Sequence, residues 1–589
     1  MPFLIRQRAL AILKAPAMWI ASGLRALLVG HDELVSIVFW AAIIGIAGAL
    51  ASVAFREAIH LFQWLLTGRS GGLVQVASEL RPLPRAIAPA IGGLVAGLIL
   101  FLGLRLGAAR RNVDYMEAVV VGDGVIGARS TLLRALSSLA SIASGGSIGR
   151  EGPMVQLAAL LGSKVGLVGR APLPRRRLFV ACGAAAGIAS AYNAPIAGAV
   201  FVAEIVMGSF AIESFGPLMV ASVSADATIH RFLGYGPVFA VPPIHFGENW
   251  ELALYALLGI LLGHLAPPFL ALLEWSKARF ARLVAPLPLR LAIGGLFVGL
   301  ISLAFPEVWG NGYSVVGSIL HGRLFGGLLL AILGAKVLST ASTVGSGAVG
   351  GVFTPTLFIG AALGALAGSA MRDGLGHMAS DTAAFAVVGM GGFLAATTHA
   401  PLTAVLMIFE MTLDHEVVLP LILACVTAHY TSKVYRRGAS VYRDSLLPRP
   451  DEAEGAGGTV ADILRPQAVQ VSEDTSVAAM LAALPPRPVR TVYVVNSGHE
   501  LIASLEPRAI AAGLRRGEVH GDVSVSSLAT PVRAALTPEL SLTGALDLFL
   551  KERATTLPVI AGPWRAVLVG EVSRRDLLLT LQDRLAGRP

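Results

Sequence analysis

The chain has 589 residues, 55% of them hydrophobic and only 14% charged, with a mean hydropathy of +0.71 and a net charge of +9. A soluble domain carries about 25% charged residues, so a wholly soluble protein is excluded. The basic residues gather in short loops rather than on one folded face, which argues against a nucleic-acid surface, and the two cysteines, both in apolar runs, support neither a disulfide framework nor a zinc site.

The first 33 residues begin MPFLIRQRALAILK. Arg and Lys mixed with Leu, Ile and Ala predict an amphipathic helix lying on a membrane surface, and no signal-peptide cleavage pattern accompanies it. Apolar runs follow at 34–55, 86–104, 178–203, 252–273, 291–306, 337–371 and 382–410. Runs of around 20 apolar residues read as membrane spans, and some of these are long enough for two segments. The predicted class is mainly α: a polytopic helical membrane protein over 34–447, in two inverted-topology repeats of about 34–235 and 250–447 with broken helices. Basic loops at Arg6 and Arg8, Arg175–Arg177 and 433–437 favour the cytoplasmic side, which puts both termini there.

Near residue 450 the character changes. LLPRPDEAEGAGG, ending at Gly458, combines Pro, acidic residues and Gly and marks 448–458 as a linker. Beyond it, short β-rich runs (TVYVVN from Thr491, TTLPVI from Thr555) alternate with helical patterns (SVAAMLAAL from Ser476, LTGALDLFLKERA from Leu542). Residues 459–589 therefore read as a small soluble α/β domain.

Two segments of the membrane region are alike. GAAAGIASAYNAPIAGAVFVAE, from Gly183 to Glu204, aligns without gaps on GMGGFLAATTHAPLTAVLMIFE, from Gly389 to Glu410. Gly183 matches Gly389, Pro195 matches Pro401, and each copy ends in a glutamate. Upstream of each stands a second pair, GREGP at 149–153 and GVFTP at 351–355. Repeated halves with Gly/Pro-interrupted segments at matching places point to a transporter with its site at the repeat interface. Non-helical backbone is tolerated at membrane depth only where it lines a cavity or is buried in protein.

The chemistry of those interruptions is specific. Pro153 and Pro355 suit the first turn of a helix, where a missing N–H costs nothing, and Thr354 is a candidate N-cap. Two helix N-termini aimed at one point make an anion site without a full positive charge, which lets the anion leave again. Glu151 carries its own negative charge into that site and can act as a gate that opens when it is protonated or displaced; a structural ion pair with Arg150 is the alternative.

These motifs, with SVY at 440–442, resemble the CLC family of chloride channels and chloride/proton antiporters across 34–447. Where the family has Gly-Ser-Gly-Ile-Pro, this chain has GDGVI at 122–126, most like the bacterial ClcB-type branch. The resemblance implies a homodimer in a bacterial inner membrane, with one path per subunit for chloride or another small anion and no enzymatic activity. It makes Glu151 the gating residue. It implies a central anion held by the backbone amides of Val352 and Phe353, beside Thr354, and by the Tyr442 hydroxyl, and an outer site formed by backbone around Arg150 and Gly152. Asp123 stands at the position of an anion-binding serine. Either it is protonated, or it turns away and a backbone N–H serves, or it caps the helix that follows.

A second departure concerns protons. The family's antiporters place an inner glutamate directly after the residue matching Glu204; here that position is Ile205. The resemblance then favours a chloride channel or uncoupled anion pathway, with a proton-coupled exchanger using Glu213, Asp226 or Asp123 as the alternative. The tail resembles a CBS-domain pair over 459–516 and 523–585. GEVSRRD at 570–576 implies at most one adenine-nucleotide site, ATP, ADP or AMP, with Ser573 toward a phosphate and Asp576 toward a ribose, and no cofactor is required for transport. A CBS-bearing cation transporter would need acidic clusters in the bundle, and a membrane metalloprotease would need H-E-x-x-H, where the chain has only HEVVL from His415.

Overall fold

The computed structural model describes residues 33–105, 113–120, 122–234, 236–243, 250–375, 381–435 and 458–581, apart from scattered positions in the last stretch. Nearly all of the helix expected over 1–33, most of the linker, and Tyr442 lie outside the described residues. The chain forms two compact units, Met1–Leu446 and Leu447–Pro589.

The first unit is helical. Helices α1 (Glu33–Thr67), α2 (Leu73–Glu79), α3 (Pro82–Arg105), α4 (Tyr115–Val120), α5 (Ala128–Ala143), α6 (Glu151–Val168), α7 (Leu173–Tyr192), α8 (Pro195–Phe201) and α9 (Ile212–Leu233) form the first repeat. A π-helical turn, Val202–Met207, continues α8. Helices α10 (Glu251–Ala281), α11 (Leu287–Ala304), α12 (Tyr313–Leu320), α13 (Gly326–Gly345), α14 (Phe353–Leu375), α15 (Thr382–Thr398), α16 (Pro401–Thr412) and α17 (Val418–Tyr435) form the second. Among the described residues, six helices are long and apolar enough to cross a membrane.

The long apolar runs are broken where the sequence is punctuated. The run 178–203 divides between α7 and α8, and 382–410 between α15 and α16. Asn193 and His399 occupy the same place in the two repeats, both in the left-handed region at φ 50° and 59°. Each donates its N–H back to an alanine carbonyl, Ala189 and Ala395. The following Ala-Pro then restarts a helix with proline in its first turn. The run 337–371 likewise splits, at the glycines between α13 and α14.

Small residues let the broken helices pack closely. A side chain at Gly183 would strike the Ala158 carbonyl of α6, and one at Gly389 would strike the Gly360 carbonyl of α14. The two repeats thus cross their helices α6–α7 and α14–α15 through matching glycines, with Ala181, Ala184, Ala185, Ala386 and Ala395 fully buried around them.

The second unit holds strands β1 (Gln470–Ser472), β2 (Val492–Val495), β3 (Leu501–Leu505) and β4 (Thr530–Pro531) in one sheet, and a hairpin, β5 (Thr556–Gly562) and β6 (Arg565–Ser573). β1 and β2 are parallel; β2–β3 and β3–β4 are antiparallel. Two small apolar cores form, one around Val477, Val492 and Val494 and one around Leu542, Phe549 and Val559. Val460 packs into the second core, and Arg465 exchanges backbone hydrogen bonds with Glu571 at 3.0 Å. The opening segment of the tail therefore belongs with its second half, a crossover that repeat boundaries in the sequence do not reveal.

Candidate functional site

The site forms where the two repeats meet end to end. Gly149 and Gly351 exchange backbone hydrogen bonds at 2.8 and 2.9 Å, a single antiparallel bridge between the segments that lead into α6 and α14. A Cβ at either glycine would occupy the place of the Glu151 carboxylate. Glu151 is the first residue of α6 and is 5% exposed. Its carboxylate crosses to the other repeat: Oε1 accepts from the Thr354 N–H at 3.1 Å and Oε2 from the Thr354 hydroxyl at 3.0 Å. The expectation that Thr354 is the N-cap is corrected here. α14 begins at Phe353, so Thr354 lies inside its first turn and its free N–H is one of the orphan donors of that turn. Glu151 is what caps it.

Beside the carboxylate lies a cavity of about 50 Å³ lined by Tyr115, Glu151, Gly152, Val155, Ile188 and Phe201 from the first repeat and by Gly351, Val352 and Phe353 from the second. Phe353 is held against Tyr192, with ring centroids 4.9 Å apart, and against Phe201 at 6.3 Å. The volume exceeds what one water needs. Of the expected site residues, Glu151, Gly152, Val352 and Phe353 are brought together at this cavity, with Thr354 directly behind the carboxylate. Arg150 is not among the lining residues; its guanidinium lies 5.7 Å from the ring centre of Tyr313.

Asp123 is not in the cavity lining. It is exposed, and its carboxylate accepts from the Val125 N–H at 3.1 Å, closing a tight local turn. The reading of Asp123 as a helix cap is corrected: α5 starts at Ala128 with Gly127 as its N-cap, one turn further on. The loop around Asp123 is fixed instead by Arg177, whose Nε donates to the Gly122 carbonyl at 2.8 Å, and by the buried Ser163 hydroxyl, which donates to the Gly124 carbonyl and accepts from the Ile126 N–H.

The glutamates that end the two repeat segments act across the repeats. Glu410 accepts from the N–H groups of Ile196 and Ala197, at 2.9 and 2.7 Å, at the start of α8. Glu204 accepts from Leu402 and Thr403 N–H, at 3.3 and 2.8 Å, and from the Thr403 hydroxyl at 2.6 Å, at the start of α16. Each repeat thus supplies the carboxylate that caps the other's short helix. Ile205 follows Glu204 in the π-helical turn, half-buried. Tyr115, Ile188 and Phe201 were not singled out in the sequence, since an aromatic or aliphatic residue in an apolar run carries no signal of a cavity.

The chain matches the family model described as voltage gated chloride channel over residues 104–433. It is 52% identical over 420 residues to a ClcB-like protein of Ralstonia nicotianae, covering 70% of this chain and 98% of that one. It is 41% identical to the voltage-gated ClC-type chloride channel ClcB of Citrobacter koseri, over 68% of this chain and 97% of the relative. This chain belongs to the CLC family of chloride channels and transporters. Among solved structures, the fold is shared with a slow cyanobacterial Cl−/H+ antiporter, at a TM-score of 0.62 and 24% identity over 70% of this chain and 97% of that one. It is also shared with a eukaryotic CLC transporter, at 0.60 and 20% identity over 92% and 97%. The bridged loops carry GREGP at 149–153 and GVFTP at 351–355.

In the tail, both oxygens of Asp576 are engaged. Oδ1 and Oδ2 accept from Arg465 at 2.9 and 2.8 Å, Oδ2 also accepts from the Ser573 hydroxyl at 2.8 Å, and Ser573 Oγ accepts from the Asp576 N–H. The two residues expected at a nucleotide, Ser573 and Asp576, thus stand together and bond each other. The Tyr493 hydroxyl donates to Glu571 at 3.2 Å, and burial together with that carboxylate pushes the phenol up.

Proposed function

We propose that this CLC protein passes chloride or a similar small anion through one path in each subunit of a homodimer in a bacterial inner membrane, as a channel or uncoupled pathway closed by Glu151. One observation carries the reading. The Glu151 carboxylate occupies the N–H and hydroxyl seat at the start of α14, beside a cavity lined by the Val352 and Phe353 segment. A seat that accepts a carboxylate accepts another anion once the carboxylate is protonated or displaced. Conduction then needs only a site that binds well enough to admit the ion and weakly enough to release it.

A second reading, proton-coupled exchange, is supported by the antiporter neighbours of the fold. Ile205 speaks against it, since it carries no proton where the family's antiporters place an inner glutamate. Reconstitution decides between them. In proteoliposomes under a chloride gradient, with the voltage clamped, chloride flux without uphill proton movement is expected; proton pumping driven by chloride would overturn the channel reading. Glu151→Gln, which mimics the protonated carboxyl, is expected to give flux independent of pH, and retained pH dependence would remove Glu151 as the gate. The CBS-like tail is proposed as a coupling module, with no transport step assigned to a nucleotide.

A further inference from the structure

Lys336 is a fully buried lysine in the middle of α13. A buried ammonium in a membrane protein is costly and marks a function by default. Its partners are two carbonyls and an aromatic face, none of them an anion. Nζ donates to the Val308 carbonyl at 3.0 Å and to the Gly310 carbonyl at 2.7 Å, and lies 5.6 Å from the ring centre of Phe358. Both carbonyls belong to the loop between α11 and α12, where Gly310 and Gly312 adopt φ of 67° and 92°.

The two residues that this loop presents both bear on Glu151. Trp309, fully buried, fills the place that a side chain at Gly145 would take. Gly145, itself at φ 104°, opens the segment that runs to Glu151. Tyr313, at the start of α12, lies beside Thr354 and receives the Arg150 guanidinium over its ring. Thr354 is the residue that seats the Glu151 carboxylate, and Arg150 precedes it in the chain. The other charged group facing this cluster is Arg56 of α1, with Glu57 and His60 beside it.

We propose that Lys336 is a positioning residue for the Glu151 gate: it locks the loop 308–312 so that Trp309 and Tyr313 hold the two sides of the carboxylate's seat. This rests on the gate reading above. Losing the grip lets the seat loosen, so the gate opens at a less acidic pH.

The test is the pH profile of chloride flux in proteoliposomes for Lys336→Met and Lys336→Arg, each made in the native chain and in the Glu151→Gln background. Lys336→Met is expected to move the half-maximal pH upward by about one unit, a tenfold change in proton concentration. Lys336→Arg keeps the cation and its donors and is expected to restore most of the native profile. In the Glu151→Gln background, Lys336→Met is expected to leave flux unchanged within about twofold, because coupled residues lose their effect when the partner is gone. An unmoved profile, or an equal loss of flux in both backgrounds, would overturn the proposal and leave Lys336 a structural residue. If Lys336→Met does not yield monodisperse protein, Tyr313→Phe carries the same cycle, removing only the hydroxyl at the far end of the chain of contacts. Failure of Glu151→Gln alone to flatten the profile is a separate result, which would remove the gate reading and this inference with it.

Discussion

Replacing Thr354 by valine tests the gate at its seat. The hydroxyl that donates to Glu151 Oε2 at 3.0 Å is lost, while the backbone donor to Oε1 at 3.1 Å remains. A hydrogen bond to a charged group is worth about 1.5–3 kcal/mol, and about 1.4 kcal/mol is a factor of ten. The closed state, with the carboxylate seated, therefore weakens by roughly 10- to 100-fold relative to the open one. Closing requires the ionised carboxylate, so stabilisation of the closed state is present at high pH and disappears as the carboxyl protonates. Weakening it moves the half-maximal pH of flux upward, by about one to two units. The assay is chloride efflux from proteoliposomes at a series of pH values, with thermal stability in detergent as the control for folding. Thr354 also meets the Tyr313 hydroxyl, so Tyr313→Phe separates that contribution. A folded Thr354→Val protein whose profile stays in place, or moves to lower pH, would refute the assignment of Thr354 as the seat.

Gly351→Ala places a methyl group in the position of the Glu151 carboxylate. Expelling the carboxylate is expected to give flux that no longer responds to pH, as for Glu151→Gln, if the bridge to Gly149 survives; efflux measured at two pH values checks it. Glu410→Gln keeps one acceptor but turns an amide N–H toward the N–H groups of Ile196 and Ala197. Leaving one such donor unpaired costs about 1–3 kcal/mol, so a fall in melting temperature is expected with the pH profile unmoved, read by scanning fluorimetry and by efflux on the same preparation.

Much of this architecture is written in the sequence because membrane chains obey few rules strictly. The apolar runs, the gap-free repeat and the paired GREGP and GVFTP motifs locate the helices, the repeat relation and the meeting point of α6 and α14. What the residues do there was less legible. Pattern places Thr354 at a helix start but cannot tell that a carboxylate from the other repeat, 203 positions away, supplies the cap. Asp123 sits in a family position, yet its carboxylate is drawn into a local turn by the Val125 N–H, because a short acidic side chain meets its own backbone before it meets anything distant. Lys336 gave no signal, since one lysine in an apolar run predicts an interruption or an interfacial end rather than a buried clamp. In the tail, Val460 packs with the second core, which depends on chain crossover and has no local signature.

The same device, a carboxylate capping a helix of the other repeat, is used three times, and the differences assign the roles. Glu204 accepts from two backbone N–H groups and a hydroxyl, and Glu410 from two backbone N–H groups at under 3 Å. Glu151 accepts from one backbone N–H and one hydroxyl of the second repeat, both at 3.0 Å or more. Charge-assisted bonds strengthen as they shorten, so the first two are the firmer caps. Glu151 alone of the three lines the cavity, so it alone has somewhere to go when it leaves its seat. Glu204 and Glu410 begin no helix; they project from the ends of their segments and staple the short helices α16 and α8 in place. Glu151 is the first residue of its own helix. A gate and two staples follow from one chemistry, separated by the shortest bond each carboxylate accepts and by the cavity beside one of them.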